Sequence, residues 1–193
     1  MERAESTALL RAAREGSAEA LDRLYAQVGS RLLALIRLRM GASLRARLES
    51  RDILQATLLK SFEHIDRFEG DTGGSLMAWL ARIAENEIRD RVDHARRDRR
   101  DLAREVALEP AGATVPSRER SPLSVAILSD EAARLESAIE RLDAPHREVI
   151  LLRKFEDLSF KEIAARMGRS EDACRMLLAR ALAALTIELH RQA

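Results

Sequence analysis

The sequence is poor in the residues that strands, disulfides and membrane spans require. Its 193 residues include one Trp, one Tyr and four Phe, eight glycines, four prolines and a single cysteine, Cys174. One cysteine excludes an internal disulfide and a cysteine-based zinc cluster, and it fits a reducing compartment. No apolar run approaches the ~18 residues of a membrane span, and residues 1–20 lack the apolar core of a signal peptide. We therefore expect a cytoplasmic protein.

A catalytic or cofactor-binding pattern is also missing. The four histidines are scattered, no metal-ligand spacing or Gly-rich phosphate loop occurs, and no Ser or Cys nucleophile has an evident base partner. We therefore expect no enzymatic activity, no cofactor and no metal. The formal net charge is only +1, so a nucleic-acid partner has to be argued from local patches rather than from the overall charge.

The residues that are abundant predict an all-α protein. Charged residues make up 34% of the chain and hydrophobic residues 46%, and Ala, Leu, Arg and Glu, which are strong helix formers, dominate. Helical periodicity fails between Glu105 and Leu128, where three of the four prolines lie among glycine and serine. We predict two small helical domains, residues 1–104 and 129–193, joined by a flexible linker over residues 105–128.

Apolar residues at helical spacing predict the core of the first domain. A third helix is expected after the glycine-rich run Gly70 to Gly74, with Ser75 as its N-cap. The predicted core stripes of the three helices are, in order, Leu21, Leu24, Tyr25, Val28, Leu32 and Ile36; Ile53, Leu54, Leu58, Phe62 and Ile65; and Trp79, Leu80, Ile83, Ala84, Ile88 and Val92.

The end of the second domain has the plan of a helix-turn-helix. Ser159 and Glu162 form a capping box for a short helix, Gly168 permits a sharp turn, and Ser170 caps a longer helix. An αα-hairpin without a nucleic-acid role is the alternative. If the second helix enters a major groove, its exposed positions reach base edges or phosphates. Those positions are Ser170, Glu171, Asp172, Arg175, Met176, Ala179 and Arg180.

The third helix of the first domain ends in an arginine-rich segment from Arg89 to Arg104. Its polar residues share one face opposite the apolar side, which favours a phosphate-tracking surface over a merely solvated helix end. This face comprises Asn86, Arg89, Asp90, Asp93, Arg96, Arg97 and Arg100. Phe68 and Trp79 bracket the preceding loop, where aromatic rings either hold an unstacked base or belong to the core; for Trp79 we favour the core.

Two separate stretches together resemble the extracytoplasmic-function sigma factors of the sigma-70 family, which are subunits of bacterial RNA polymerase. In the first stretch, the segment from Ser50 to Phe62 is similar to the family's Asp-x-x-Gln helix, and residues 68–70 and 78–90 continue the likeness. In the second, residues 142–153 lead into residues 160–168 and then residues 180–182. The order and the spacing of these motifs agree with the family.

The resemblance implies roles for particular residues. Asp52, Gln55 and Leu59 would bind the clamp coiled coil of the polymerase β′ subunit. Recognition and melting of the minus-ten element would fall to Phe68, Asn86, Arg89, Asp90, Arg96 and Arg97. The helix from Ser170 would bind the minus-thirty-five element, and the second domain would also contact the β flap.

The sequence therefore predicts a sigma factor that binds core RNA polymerase and directs promoter recognition, DNA melting and initiation. An anti-sigma factor is a possible further partner. Two alternatives stay open: an ordinary helix-turn-helix regulator whose first domain senses a ligand or dimerises, and an adaptor that uses its helical faces only for protein contacts.

Overall fold

A computed structural model describes residues 2–68, 73–106 and 130–191, with side chains described except at residues 2–7, 73–75, 96 and 98–106. Within these ranges all regular elements are helical, which confirms the predicted fold class. We refer to residues 2–106 as the N-terminal unit and residues 130–191 as the C-terminal unit. The helices are α1 (Glu2–Arg14), α2 (Ala18–Arg45), α3 (Ser50–Glu63), α4 (Gly73–Val106), α5 (Asp130–Arg141), α6 (Ala144–Ile150), α7 (Phe160–Met167) and α8 (Glu171–His190).

Helix α2 is the central helix of the N-terminal unit. Its predicted stripe is confirmed, since Leu24, Leu32 and Ile36 are almost fully buried. Helix α1, which the sequence pattern did not predict, packs against α2. Near its C-terminal end α2 is kinked at Gly41, whose φ of 65° and ψ of 169° are not helical. Glycine adopts this positive φ without the steric penalty that a Cβ atom would bring.

The buried side of α3 differs from the predicted stripe. Ile53, Thr57 and Ser61 face the core, whereas Phe62 is 56% exposed. Two small polar side chains are tolerated there because they are hydrogen-bonded: the Thr57 hydroxyl donates to the Ile53 carbonyl at 2.7 Å, and Ser61 Oγ lies 2.6 Å from the Tyr25 hydroxyl. The prediction that Phe62 belongs to the core is therefore wrong.

Helix α4 begins earlier than the sequence indicated. Ser75 lies in its first turn rather than at its N-cap, because the helix already includes Gly73. The helix ends at Val106, two residues beyond the predicted end of the first domain at 104. The rest of the predicted linker lies outside the described residues. No helix in the described ranges is long and apolar enough to cross a membrane.

The C-terminal unit follows its predicted caps. Asp143 caps α6 through the backbone N–H of His146, with Pro145 in the first turn, and a single π-helical turn over Leu151–Phe155 follows. Gly168, in the left-handed conformation at φ 64°, ends α7. Cys174 is fully buried in α8, as expected of a small core residue.

The two units touch each other. Helix α2 packs against α5 and against the π-helical turn, and the buried apolar residues of both units form one contiguous cluster. The position of the boundary between them remains a prediction, since the residues that would contain it lie outside the description.

Candidate polymerase and nucleic-acid interfaces

The exposed side of α3 presents a mixed polar and apolar surface. Asp52 and Gln55 are exposed, as the sequence predicted, because Ile53 and Thr57 point to the core. Beside them lie Leu59, which is 59% exposed, and Phe62. Large exposed apolar side chains next to polar ones are typical of a protein-binding surface. The exposure of Phe62 was missed, because helical spacing alone placed its side chain in the buried stripe.

The polar face of α4 carries the residues predicted to contact the minus-ten element. Asn86, Arg89, Asp90 and Arg97 are all exposed. The Arg89 guanidinium donates to the Asn86 side-chain oxygen at 3.2 Å, and Arg97 Nε donates to the Asp93 carbonyl at 3.3 Å. The side chain of Arg96 lies outside the described residues. The helix therefore brings Asn86, Arg89 and Asp90 onto one exposed surface about a turn long.

A shallow cleft of about 400 Å³ lies between α3 and α4, next to this face. It holds an ion pair between Lys60 and the buried Glu87, and the hydrogen bond that the Lys60 ammonium donates to the Glu87 carboxylate raises the pKa of Lys60 above its ordinary value. The cleft therefore places the Lys60–Glu87 ion pair next to Asn86 and Asp90, whose side chains can hydrogen-bond to a ligand. It is lined by Lys60, His64, Ile83, Asn86, Glu87 and Asp90.

Phe68, which was predicted to contact the minus-ten element, is buried in the structure. It is only 5% exposed, its ring centroid is 5.1 Å from that of Trp79, and the Arg14 guanidinium lies 5.2 Å above it. A ring enclosed in this way has no open face on which a base could stack. The structure thus gives Phe68 a packing role in this conformation, and Trp79 is partly buried against the same core. Residues 69–72 lie outside the described part of the chain.

The helix-turn-helix is built from α7 and α8. Ser159 Oγ accepts from the Glu162 backbone N–H at 3.3 Å, and the Glu162 carboxylate accepts from the Ser159 backbone N–H at 2.7 Å, which completes the capping box. Hydrogen bonds from the Ser159 side chain and backbone lower the pKa of Glu162 below its ordinary value. Ser170 caps α8 through the Ala173 backbone N–H. Burial of Ile163 and Cys174 fixes one helix against the other.

The outer face of α8 is open to solvent. All seven positions predicted to reach base edges or phosphates are exposed, namely Ser170, Glu171, Asp172, Arg175, Met176, Ala179 and Arg180. Arg175 also has local partners: Glu171 at 3.1 Å, Asp172 at 3.8 Å and the ring of Phe160, whose centroid lies 4.7 Å from the guanidinium. The arginine is therefore held at the start of the helix, the part that enters a major groove in helix-turn-helix proteins.

Comparison with known proteins identifies the family. The model of "Sigma-70 region 2" matches residues 24–100, and the model of "Sigma-70, region 4" matches residues 132–185. The chain belongs to the sigma-70 family of RNA polymerase sigma factors. Region 2 spans most of α2 together with α3 and the polar face of α4, and region 4 spans the helix-turn-helix of this sigma factor.

Individual relatives place this sigma factor in the extracytoplasmic-function group. It is 32% identical to the RNA polymerase sigma factor CarQ of Myxococcus xanthus over 84% of this chain and 85% of CarQ. It is 29% identical to the ECF RNA polymerase sigma factor SigD of Mycobacterium tuberculosis over 90% and 79% of the two chains. The solved structure of CnrH in complex with the cytosolic domain of CnrY matches 98% of this chain and 99% of CnrH, with 26% identity and a TM-score of 0.55.

Proposed function

We propose that this sigma factor uses three separate surfaces to bind core RNA polymerase and the two promoter elements. The surface of α3 formed by Asp52, Gln55, Leu59 and Phe62 binds the clamp coiled coil of core RNA polymerase. The polar face of α4 contacts the minus-ten element and the strand that melts there. The outer face of α8 contacts the minus-thirty-five element, and the C-terminal unit also contacts the β flap.

One observation carries this proposal: an exposed helix-turn-helix and an exposed Asp/Gln/Leu/Phe surface occur in the same chain on different units. A regulator that acts without joining polymerase has no need of the second surface. The described residues contain no group of His, Cys, Asp or Glu arranged to hold a metal. We propose that the chain has no enzymatic activity of its own and that binding energy alone drives recognition.

In this proposal, different contacts recognise the promoter sequence and orient the sigma factor on the DNA. Arginines of α4 hold phosphates, which orient the factor on the duplex without reading its sequence. Asn86, together with the cleft beside it, has donors and acceptors suited to the edge of an unpaired base. Because CnrH is found in complex with the cytosolic domain of CnrY, we also propose that this sigma factor has an anti-sigma partner in the cytoplasm.

The decisive test is reconstituted transcription with core RNA polymerase that lacks any sigma factor. The wild-type chain should confer initiation at defined promoter sites, which neither a separate regulator nor an adaptor does. Gln55→Ala should weaken core binding by about 1 kcal/mol or more, roughly fivefold, because a polar contact at a protein interface is lost. The fold should be retained, since Gln55 is exposed.

Gln27→Ala, the same substitution at an exposed position of α2, is the matched control and should leave core affinity unchanged. Equal core affinity for wild type and Gln55→Ala in a pull-down titration would remove α3 from the interface. Absence of initiation by the wild-type chain with every core enzyme tried would instead count against the sigma function as a whole.

A further inference from the structure

Four arginines of α2 form ion pairs with carboxylates of the C-terminal unit. Arg37 Nε donates to both oxygens of Glu136, at 2.9 and 2.8 Å. Arg45 pairs with Glu140, and Arg31 Nη2 lies 2.5 Å from Asp157. Arg39 is the fourth. Every one of these pairs joins a cation of the N-terminal unit to an anion of the C-terminal unit, so the two contacting faces have opposite charge.

Arg39 connects the largest number of elements. Its Nη1 lies 2.5 Å from Glu148 of α6, its Nη2 lies 2.7 Å from the fully buried Glu156, and its Nε lies 3.3 Å from Glu85 of α4. Burial acts to lower the pKa of Arg39, but the hydrogen bonds and charges of Glu148 and Glu156 outweigh it and raise the pKa. The arginine is therefore charged and held between both units.

A fifth arginine belongs to the C-terminal unit and pairs with a carboxylate of the N-terminal unit. Arg166 of α7 lies 2.6 Å from Glu85 and 3.3 Å from Glu156. Glu85 is the residue immediately before Asn86 on the polar face of α4. The first helix of the helix-turn-helix is thus bound directly beside the surface proposed to contact the minus-ten element.

This contact limits how far apart the two DNA-binding surfaces lie. Ser170 follows Arg166 by only four positions, and a chain spans at most ~3.6 Å per residue, so the start of α8 lies within about 30 Å of Glu85 even with both side chains extended. The minus-ten and minus-thirty-five elements are about 25 base pairs apart, which is about 85 Å of duplex. The closed arrangement therefore does not reach both elements at once.

We propose that these ion pairs form an interdomain latch, defined by Arg31, Arg37, Arg39 and Arg45 with their carboxylate partners and by Arg166 with Glu85. The latch holds the free sigma factor in a closed, inactive arrangement. It has to open before one molecule binds both promoter elements. The consequence for promoter binding rests on the proposed function, whereas the closure itself rests only on the contacts described here.

Charge reversal on either side of one pair tests the latch in the full-length protein. Arg45→Glu and Glu140→Arg each place like charges opposite each other, and the double variant restores an opposite-charge pair with its polarity exchanged. Arg47→Glu changes the charge of the same segment at an exposed position and is the matched control. Small-angle X-ray scattering gives the radius of gyration, and circular dichroism at 222 nm verifies that the helices remain.

Each single variant should raise the radius of gyration by several ångström above the roughly 16 Å typical of a compact chain of this length. The double variant and Arg47→Glu should keep the wild-type radius. Identical radii for all five proteins would overturn the latch, and so would a double variant as expanded as the single ones. If one single variant loses helical signal, the other single variant and the double variant still decide the question.

Core RNA polymerase provides a second measurement. Core polymerase is proposed to contact both α3 and the C-terminal unit, so full binding uses the open arrangement. When only a fraction of free molecules is open, the apparent dissociation constant is raised by the inverse of that fraction. If one molecule in ten is open, both single variants should bind core up to about tenfold more tightly, and the double variant should bind as wild type does. Tighter binding by Glu140→Arg alone would indicate a polymerase contact and not release. If no variant binds core, the sigma function fails while the scattering result still stands.

Discussion

Arg175 illustrates how a single side chain serves two purposes. Its contacts with Glu171, Asp172 and Phe160 keep the guanidinium at the first turns of α8 in the absence of DNA. An i, i+4 pair of this kind is worth only about 0.2 to 0.5 kcal/mol, whereas a bidentate contact with guanine is worth roughly 1 to 3 kcal/mol. The local contacts therefore position Arg175 without preventing its transfer to a base.

At this position we predict that Arg175→Ala relaxes upstream specificity at one base pair, with a loss of roughly 1 to 3 kcal/mol of discrimination. Arg180→Ala, one and a half turns later and more distant from the base edges, should weaken binding to all sequences more evenly. Selection from a promoter library randomised in the upstream element, using reconstituted holoenzyme, measures both effects. The same selected motif for wild type and Arg175→Ala would show that this arginine only stabilises its own helix.

Residues whose role depends on near neighbours were predictable from the sequence. Ser159, Glu162, Gly168 and Ser170 act within one turn of the chain, and each cap lies where the spacing placed it. Aromatic residues were harder to place. Phe62 is exposed, and Phe68 is enclosed by Trp79 and Arg14, because burial depends on which distant helix packs alongside.

Helix α4 has one buried side and one exposed polar side. Leu80 and Ala84 are buried against the core, while Asn86, Arg89 and Asp90 are exposed on the other side. The helix extends over 34 residues, about 50 Å. A continuous helix of this length would hold the arginines proposed to bind phosphates at a fixed angle to the residues proposed to contact bases.

For this element we predict that replacing Arg96 and Arg97 by Ala lowers promoter affinity and flattens its dependence on salt. Each phosphate contact that is lost should reduce the slope of log K against log salt by about one. Titration of holoenzyme on promoter DNA at several salt concentrations measures this slope. Arg23→Ala, an exposed arginine of α2, should leave the slope as it is. An unchanged slope for the double variant would mean that these arginines are only solvated.

Helix α3 marks the limit of periodicity as a guide to an element. The sequence pattern assigned Phe62 to one buried stripe with Ile53, Leu54, Leu58 and Ile65. In the structure the small residues Thr57 and Ser61 are buried instead, since the Tyr25 hydroxyl of α2 contacts Ser61. Exposure of Asp52 and Gln55 was nevertheless predicted, because neither residue belongs to the apolar stripe.

At the scale of the whole molecule, the two units were predictable singly and their contact was not. The arginines of α2 and the glutamates of α5 and α6 resemble ordinary solvated helix faces in sequence. Their pairing joins positions about a hundred residues apart, such as Arg37 and Glu136. No local pattern contains information about such a pair, so the latch could be found only in the folded chain.

The central position of Arg39 leads to a prediction about stability. Arg39→Met removes a main partner of Glu156, which has no exposure to solvent, and leaves a buried carboxylate with only the longer contact to Arg166. Removing one partner of a buried pair costs about 3 to 5 kcal/mol, which at this chain length lowers the unfolding midpoint by roughly 6 to 20 °C. Thermal unfolding monitored by circular dichroism measures this shift. Arg47→Met should unfold at the wild-type temperature, and an equal midpoint for Arg39→Met would mean that Glu156 is adequately compensated without it.

The complete burial of Cys174 gives this protein a chemical reporter of its own motion. The thiol is the only one in the chain and lies within the helix-turn-helix, so a thiol-specific reagent meets it only when α8 separates from its neighbours. The labelling rate under native conditions is then the intrinsic rate of the thiol multiplied by the fraction of molecules that are locally open. For an opening free energy of about 5 kcal/mol this fraction is about one in five thousand, slow enough to follow by mass spectrometry. Labelling kinetics thereby measure, without any engineered probe, how tightly polymerase or promoter DNA holds the C-terminal unit together.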